Sequence, residues 1–276
     1  TLICAFFTAC STTKNLPDGE ILYTGIDKLE IVNEDKTLAG ITALTEVEAA
    51  LAYAPNNAIF GSSSLRWPIP FGLWVYNGFE KYQDKKGVGR WIFDHLGKSP
   101  VLMSSVNGET RAKVATNLLR DYGYFNGSVS YQEVPQKNPK EAKVSYVIDM
   151  AQPYFLDSIA YLRYPHYADS LIRSTHSQSV LKSGENFSVL KLEEERQRLS
   201  SLFRNHGYYY YRPEFTTYRA DTLQKPGYVS LQVVPRNGVP TEARKQYYIG
   251  KTSVYLTGYN DELPTDTLRL RTMDIY

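Results

Sequence analysis

Apolar positions along this chain alternate between two spacings, and the order of the switches repeats. Tyr23 to Val32 carries Ile26, Leu29 and Ile31 and predicts a strand. A weak helical pattern follows over Leu44 to Tyr53, then a stronger one with Val114, Leu118 and Leu119 on one face. The period then drops to two. Val129, Tyr131 and Glu133 lead to Pro135, a polar turn holds Asn138-Pro139, and Ala142 to Ile148 returns. The same order recurs as a strand at Phe155 to Leu162, a weak helix at Ala168 to Thr175, and a helix whose Leu192, Leu199, Leu202 and Phe203 share a face. It closes with a hairpin of Tyr209 to Tyr218 and Tyr228 to Val234 around Lys225-Pro226-Gly227. A further strand, Tyr248 to Leu256, opens a third unit at about Tyr247. Each unit reads strand, helix, helix, strand, strand.

The two copies are tied together by a motif. Leu118-Leu119-Arg120-Asp121-Tyr122-Gly123-Tyr124-Phe125 aligns with Leu202-Phe203-Arg204-Asn205-His206-Gly207-Tyr208-Tyr209. Gly123 and Gly207 stand where each helix stops, the position at which glycine takes a left-handed conformation without steric cost. Gly123-Tyr124 and Gly207-Tyr208 are therefore the turns that define the modules.

Length and composition narrow the rest. The 276 residues accommodate two domains, and 23 tyrosines favour half-buried sheet surfaces. A net charge of +2 is too small and too scattered for a dedicated nucleic-acid binder. The 2 cysteines, Cys4 and Cys10, both fall in the first ten residues, and the 4 histidines form no metal-binding pair, so no metal site or cofactor is expected. The apolar start, ending in Phe7-Thr8-Ala9-Cys10, has the form of a signal-sequence tail with a lipobox, Cys10 being the residue to be acylated. Ser11 to Glu20 reads as a polar tether.

Tandem helix–Gly-Tyr-aromatic–hairpin units behind a lipidated N-terminus resemble the polypeptide-transport-associated (POTRA) modules of the BamA/TamA superfamily, most nearly the TamA-like lipoproteins of Bacteroidetes. The residues carrying the resemblance are Leu16-Pro17-Asp18-Gly19-Glu20, Leu22-Tyr23-Thr24-Gly25, Tyr53-Ala54-Pro55-Asn56-Asn57, Phe71-Gly72-Leu73-Trp74 and the two Gly-Tyr turns. The resemblance implies an α+β fold of tandem β-α-α-β-β modules, each a three-stranded mixed sheet with two helices on one face. It divides the chain into a leader, lipobox and tether (1–20), a first module with an aromatic insertion (21–151), a second module (152–240) and the truncated start of a third (241–276). It further implies a non-enzymatic periplasmic scaffold at the outer membrane. Its partners would be unfolded outer-membrane protein clients, assembly factors, the bilayer through the lipid, and a C-terminal β-barrel that this chain lacks.

Sheet edges are the expected binding surface, since an unpaired strand accepts an extended segment through main-chain bonds. The insertion Leu65 to Phe79 supplies a candidate interface loop in Trp67, Phe71 and Trp74, weighed against a fold-back that hides these aromatics. Lys81 to Arg90 reads as a solvated basic loop, and Gly87-Val88-Gly89 lacks the context of a nucleotide loop. Glu193, Glu194 and Glu195 read as a solvated charged face opening a helix. Tyr208 to Tyr211, read as strand, should divide its rings between two faces. The alternative of a different class is a carbohydrate-binding outer-membrane lipoprotein with Trp67, Trp74 and Trp91 as its platform.

Overall fold

The structure is a computed structural model that describes residues 12–254, 268–270 and 273–275; Cys4 and Cys10 lie outside the described residues. The chain divides into two compact units. One runs to Phe155 and includes Asn186–Leu190; the other takes Leu156–Glu185 and the chain from Lys191 onward.

In the first unit, strand β1 (Leu22–Val32) leads into helix α1 (Leu38–Leu51). The helix begins six residues before the apolar pattern becomes clear, because the Thr37 hydroxyl caps it by accepting from the Gly40 N–H at 3.2 Å. Three short helices follow: α2 (Phe71–Phe79), α3 (Val88–Leu96) and α4 (Met103–Val106). Helix α5 (Gly108–Asp121) then starts at Asn107, whose side chain accepts from the Thr110 N–H at 3.1 Å. The unit closes with a hairpin of β2 (Ser128–Pro135) and β3 (Glu141–Asp149).

Strand order is β1-β3-β2, with β3 central, parallel to β1 and antiparallel to β2. Burial alternates along β3: Ala142, Val144, Tyr146 and Ile148 are buried, and their face meets Ala43, Val47 and Leu51 of α1 and Ala112, Ala115 and Leu119 of α5. Both helices thus cover one face of the sheet. Arg111 locks the pair: its guanidinium donates to the carbonyls of Ala50 and Ala52 at the end of α1, at 2.9 and 3.2 Å, and lies 4.6 Å from the Tyr53 ring centroid. These carbonyls are among those a helix end leaves without partners.

The second unit repeats the plan. Strand β4 (Phe155–Tyr161), helices α6 (His166–Ser174) and α7 (Val189–Asn205), and strands β5 (Thr216–Asp221) and β6 (Tyr228–Pro235) form a sheet of order β4-β6-β5. Val229, Leu231 and Val233 of β6 are buried, as are Ala168 and Ile172 of α6 and Leu192, Leu199 and Phe203 of α7. A third small sheet, β7 (Thr252–Val254), β8 (Leu268–Leu270) and β9 (Met273–Ile275), has the order β7-β9-β8, with β9 parallel to β7 and antiparallel to β8. The α+β class and the mixed three-stranded sheets are those expected.

Three local readings need correction. Strand β5 starts at Thr216, so the four tyrosines lie in a turn. Tyr208 and Tyr211 are buried and Tyr209 and Tyr210 exposed, a division set by the turn and not by strand alternation. Glu195 belongs to no solvated face. Helix α7 begins at Val189, which puts Glu195 midway between Leu192 and Leu199 on the core side, with no exposed surface. The segment after Cys10 is not a loose tether from Thr12 onward. Thr13 is buried, Asn138 donates to its hydroxyl at 3.3 Å, and the Thr12 hydroxyl donates to Glu141.

Candidate functional site

The two Gly-Tyr turns have one geometry. Gly123 and Gly207 both have φ of +92°. The Tyr124 N–H donates to the Leu119 carbonyl at 2.9 Å, and the Tyr208 N–H to the Phe203 carbonyl at 3.0 Å, the six-to-one bond that closes a helix on a left-handed residue. Each glycine carbonyl then accepts from a tyrosine that precedes a first strand: Tyr154 N–H to Gly123 at 2.9 Å, Tyr247 N–H to Gly207 at 2.7 Å. A Cβ on Gly123 would lie 2.6 Å from the Phe187 carbonyl oxygen, and one on Gly207 would lie 2.9 Å from that of Tyr247. The turns are thus structural junctions, and glycine is required both for its conformation and for the close approach of a second backbone.

Tyr124 is fully buried and its hydroxyl donates to Asp35 at 2.7 Å. Burial and then the Asp35 carboxylate push the phenol well above its ordinary value. Partial burial pulls Asp35 upward, but the hydrogen bonds from Tyr124 and Thr37 outweigh it and the carboxyl is lowered.

Each three-stranded sheet has two edges, and the beginning of each first strand in the two units is engaged by other residues. On β1, the Tyr23 N–H donates to the Val101 carbonyl and the Met103 N–H to Ile21, both at 2.8 Å. The pairing register shifts between Tyr23 and Ile26, and Gly25 sits there with φ of +116°. Arg66 fills the opening, donating to the carbonyls of Thr24 at 3.4 Å and Ile26 at 3.3 Å. On β4, the Leu156 N–H donates to Glu185 at 2.8 Å and the Gly184 N–H returns to Leu156 at 2.7 Å. The hairpin strands β2 and β5 each have one strand neighbour. Polar exposed side chains dominate β2, where only Val129 is buried.

The insertion between α1 and α5 is partly exposed. Leu73 and Val75 of α2 are buried and Trp74 is half-buried, whereas Trp67 and Phe71 retain 62% and 61% of their surface. The reading in which the segment hides all its aromatics fails for these two. They stand outside the buried stripe of α2, with Phe71 at its first turn and Trp67 ahead of it. Phe60, Leu65, Val88 and Trp91 add exposed apolar surface, and Trp91 stacks on His95 at 4.8 Å. Asn77 of α2 donates to the Thr12 carbonyl at 3.2 Å, and its own carbonyl accepts from Asn15 at 3.3 Å. The chain two residues after Cys10 is therefore pinned to the helix that carries Phe71 and Trp74.

In the second unit, Glu195 forms a network that sequence reasoning missed. Arg198 contacts it with two nitrogens, at 2.6 and 2.9 Å, and the Tyr161 hydroxyl and Val180 N–H donate at 2.6 and 3.2 Å. Burial works to lower Arg198 but the Glu195 carboxylate outweighs it and holds the guanidinium up; burial and then Glu195 push Tyr161 up. The signal for this was present, since a glutamate spaced three and four from two leucines lies on a core face. Every acceptor is engaged, so the network is structural. Among the described residues no group of three metal-ligating side chains gathers, and no helix is long and apolar enough to cross a membrane.

No family model matches the chain, and no curated protein does. Among solved structures, it is similar to Haemophilus influenzae BamA POTRA3-5, with 9% identity over 90% of this chain and 76% of that one, at a TM-score of 0.38. It is similar to POTRA1-3 of the periplasmic domain of Omp85 from Anabaena (13% identity, 92% and 73% coverage, TM-score 0.32) and to the N-terminal domain of Omp85 from Thermosynechococcus elongatus (13%, 87% and 68%, 0.31). The chain's own topology is two successive units on a β-α-α-β-β plan, the first with α2, α3 and α4 inserted between its two covering helices, each with its first strand at one edge and the returning hairpin strand central. This is the order that the sequence resemblance to POTRA modules implies. In each module residues between the two covering helices fold back onto the start of the first strand. The Gly-Tyr turn closes the second helix at the other end.

Proposed function

We propose that this chain is the periplasmic POTRA region of an Omp85-type outer-membrane assembly factor, a non-catalytic scaffold that binds client polypeptides along sheet edges. The observation that supports it best is the repeated engagement of the start of the first strand, by Arg66 and residues 101–103 in one module and residues 184–185 in the other. The hairpin strands β2 and β5, each with one strand neighbour, are the edges we assign to an added strand, whose main-chain bonds give affinity with little demand on client sequence. In the same reading Cys10 carries a lipid, and Trp67, Phe71 and Trp74 form an interface loop. The TamA-like branch rests on the sequence resemblance.

The test is photo-crosslinking in cells from single sites in the membrane-bound protein: Gln132 on β2, Arg219 on β5 and Leu38 on α1 as control. Adducts with unfolded barrel proteins from the two edge sites, absent from the control and reduced by Cys10→Ala, are expected. Equal adducts from all three sites sink edge binding. Glycan binding by the isolated chain, lost in Trp67→Ala, would favour the carbohydrate reading.

A further inference from the structure

A cavity of about 300 Å³ lies within the second unit, where the loop after β4 meets the end of α7 and the loop after β6. Its walls are apolar and aromatic, with Ala168, Phe203, Tyr208, Tyr211, Val239 and Ala243 all buried. Three arginines line it as well, Arg163, Arg236 and Arg244, and among the described residues no carboxylate does. All three are exposed, and none of them appears in any ion pair among the described residues. Arg173, Arg196 and Arg198 of this unit's helices each pair with a carboxylate, and among the described residues Arg204 does not.

Arg163 adds a second, independent observation. Its backbone lies at φ of +65°, a left-handed conformation that costs a non-glycine residue energy and that a glycine would adopt freely. An aromatic slot lined by three arginines with no ion pair among the described residues suits a molecule with two unlike ends. Planar guanidinium groups pair with phosphate or carboxylate oxygens in forked hydrogen bonds, and the rings receive an apolar group. The size is at the lower limit for small-molecule sites and admits one chain, not a two-chain lipid.

We propose that this cavity is a binding site for single-chain amphiphilic anions, an alkyl or acyl phosphate being the ligand class, with Arg163, Arg236 and Arg244 holding the head group and Phe203, Tyr208 and Tyr211 the chain. Nothing in the scaffold reading requires such a site, and the two stand independently. The head group is shared by lipid fragments and free phosphate, so the probes separate them.

Octyl phosphate, kept below its micelle concentration, is titrated calorimetrically into the chain, beside inorganic phosphate, octyl glucoside and a phenylalanine-terminated peptide. Saturable one-to-one binding of octyl phosphate is expected, with phosphate and octyl glucoside each at least about tenfold weaker. Arg163→Gln combined with Arg236→Gln should weaken octyl phosphate at least about tenfold, since each lost charged hydrogen bond is of that order. Both side chains are exposed, so thermal unfolding should stay unchanged; Arg204→Gln, on the same helix as Phe203 but outside the lining, should bind as the unaltered chain does. The site is overturned if phosphate binds as well as octyl phosphate, if octyl glucoside does, or if the double variant binds unchanged. Tighter binding of the peptide than of octyl phosphate overturns the lipid-like ligand in favour of a chain terminus.

Discussion

The hydroxyl of Tyr124, wholly buried behind the Gly123 turn, donates a 2.7 Å hydrogen bond to Asp35, just ahead of the cap of α1. One bond thus ties the end of the second helix of the module to the start of the first.

That bond makes acid stability depend on Tyr124. The Asp35 carboxyl is lowered in the folded protein from its ordinary 3.8. A depressed carboxyl contributes stability that is complete above its unfolded pKa and is lost as pH falls through the folded value. Tyr124→Phe should therefore raise the midpoint of acid unfolding, with little change in the pH dependence above about pH 5. Acid titration followed by far-ultraviolet circular dichroism measures this; an unchanged midpoint would show that Thr37 alone holds the carboxyl down.

The Glu195–Arg198 pair should be costly to break and cheap to replace. Glu195 has no exposed surface and the Arg198 side chain retains 15%. Glu195→Gln should destabilise the second unit by about 3–5 kcal/mol, because it leaves a guanidinium buried without its carboxylate. Replacing both members, Glu195→Met with Arg198→Leu, should recover most of that loss. Urea denaturation of the single and double variants decides it.

At Gly25 the test separates the bulge from the plug. A Cβ there would fall 2.4 Å from the Arg66 guanidinium, at a φ that also disfavours alanine. Gly25→Ala should cost about 1–3 kcal/mol and release Arg66 from β1. Arg66→Ala should cost less, about 1 kcal/mol, while hydrogen exchange at Thr24 to Ile26 and cleavage between Pro55 and Trp67 both speed up. Exchange that stays slow in Arg66→Ala would mean that residues 101–103 protect this edge unaided.

Glycines with the same backbone sign should differ in their tolerance. Gly207 at φ +92° has a carbonyl 2.9 Å from where a Cβ would go, whereas Gly184 at φ +84° has nothing within 4 Å. Gly184→Ala should cost only the conformational penalty, about 1 kcal/mol, and Gly207→Ala at least twice that. Thermal melts of the two variants are the comparison; equal costs would mean that the Tyr247 backbone shifts aside freely.

Hydrophobic period and the Gly-Tyr repeat by themselves determined the order of the strands and of the two covering helices in both modules, because a buried face imposes its spacing on the sequence wherever it is regular. The short helices α2, α3 and α4 inside the first module fall outside that reading. The left-handed turns were legible for the same local reason, since only glycine makes them cheap. What lies off that pattern was decided by tertiary contact. Tyr208 to Tyr211 looked like strand because tyrosine favours sheets, yet the turn after α7 claims those residues first. Glu195 looked solvated as one of three acidic residues; Arg198 pairs with it one turn along the same helix, and the Tyr161 hydroxyl that completes its partners comes from β4. That Arg66 reaches the Gly25 bulge of β1, and that Arg163, Arg236 and Arg244 share one cavity, follow from residues distant in sequence, whose approach no local period encodes.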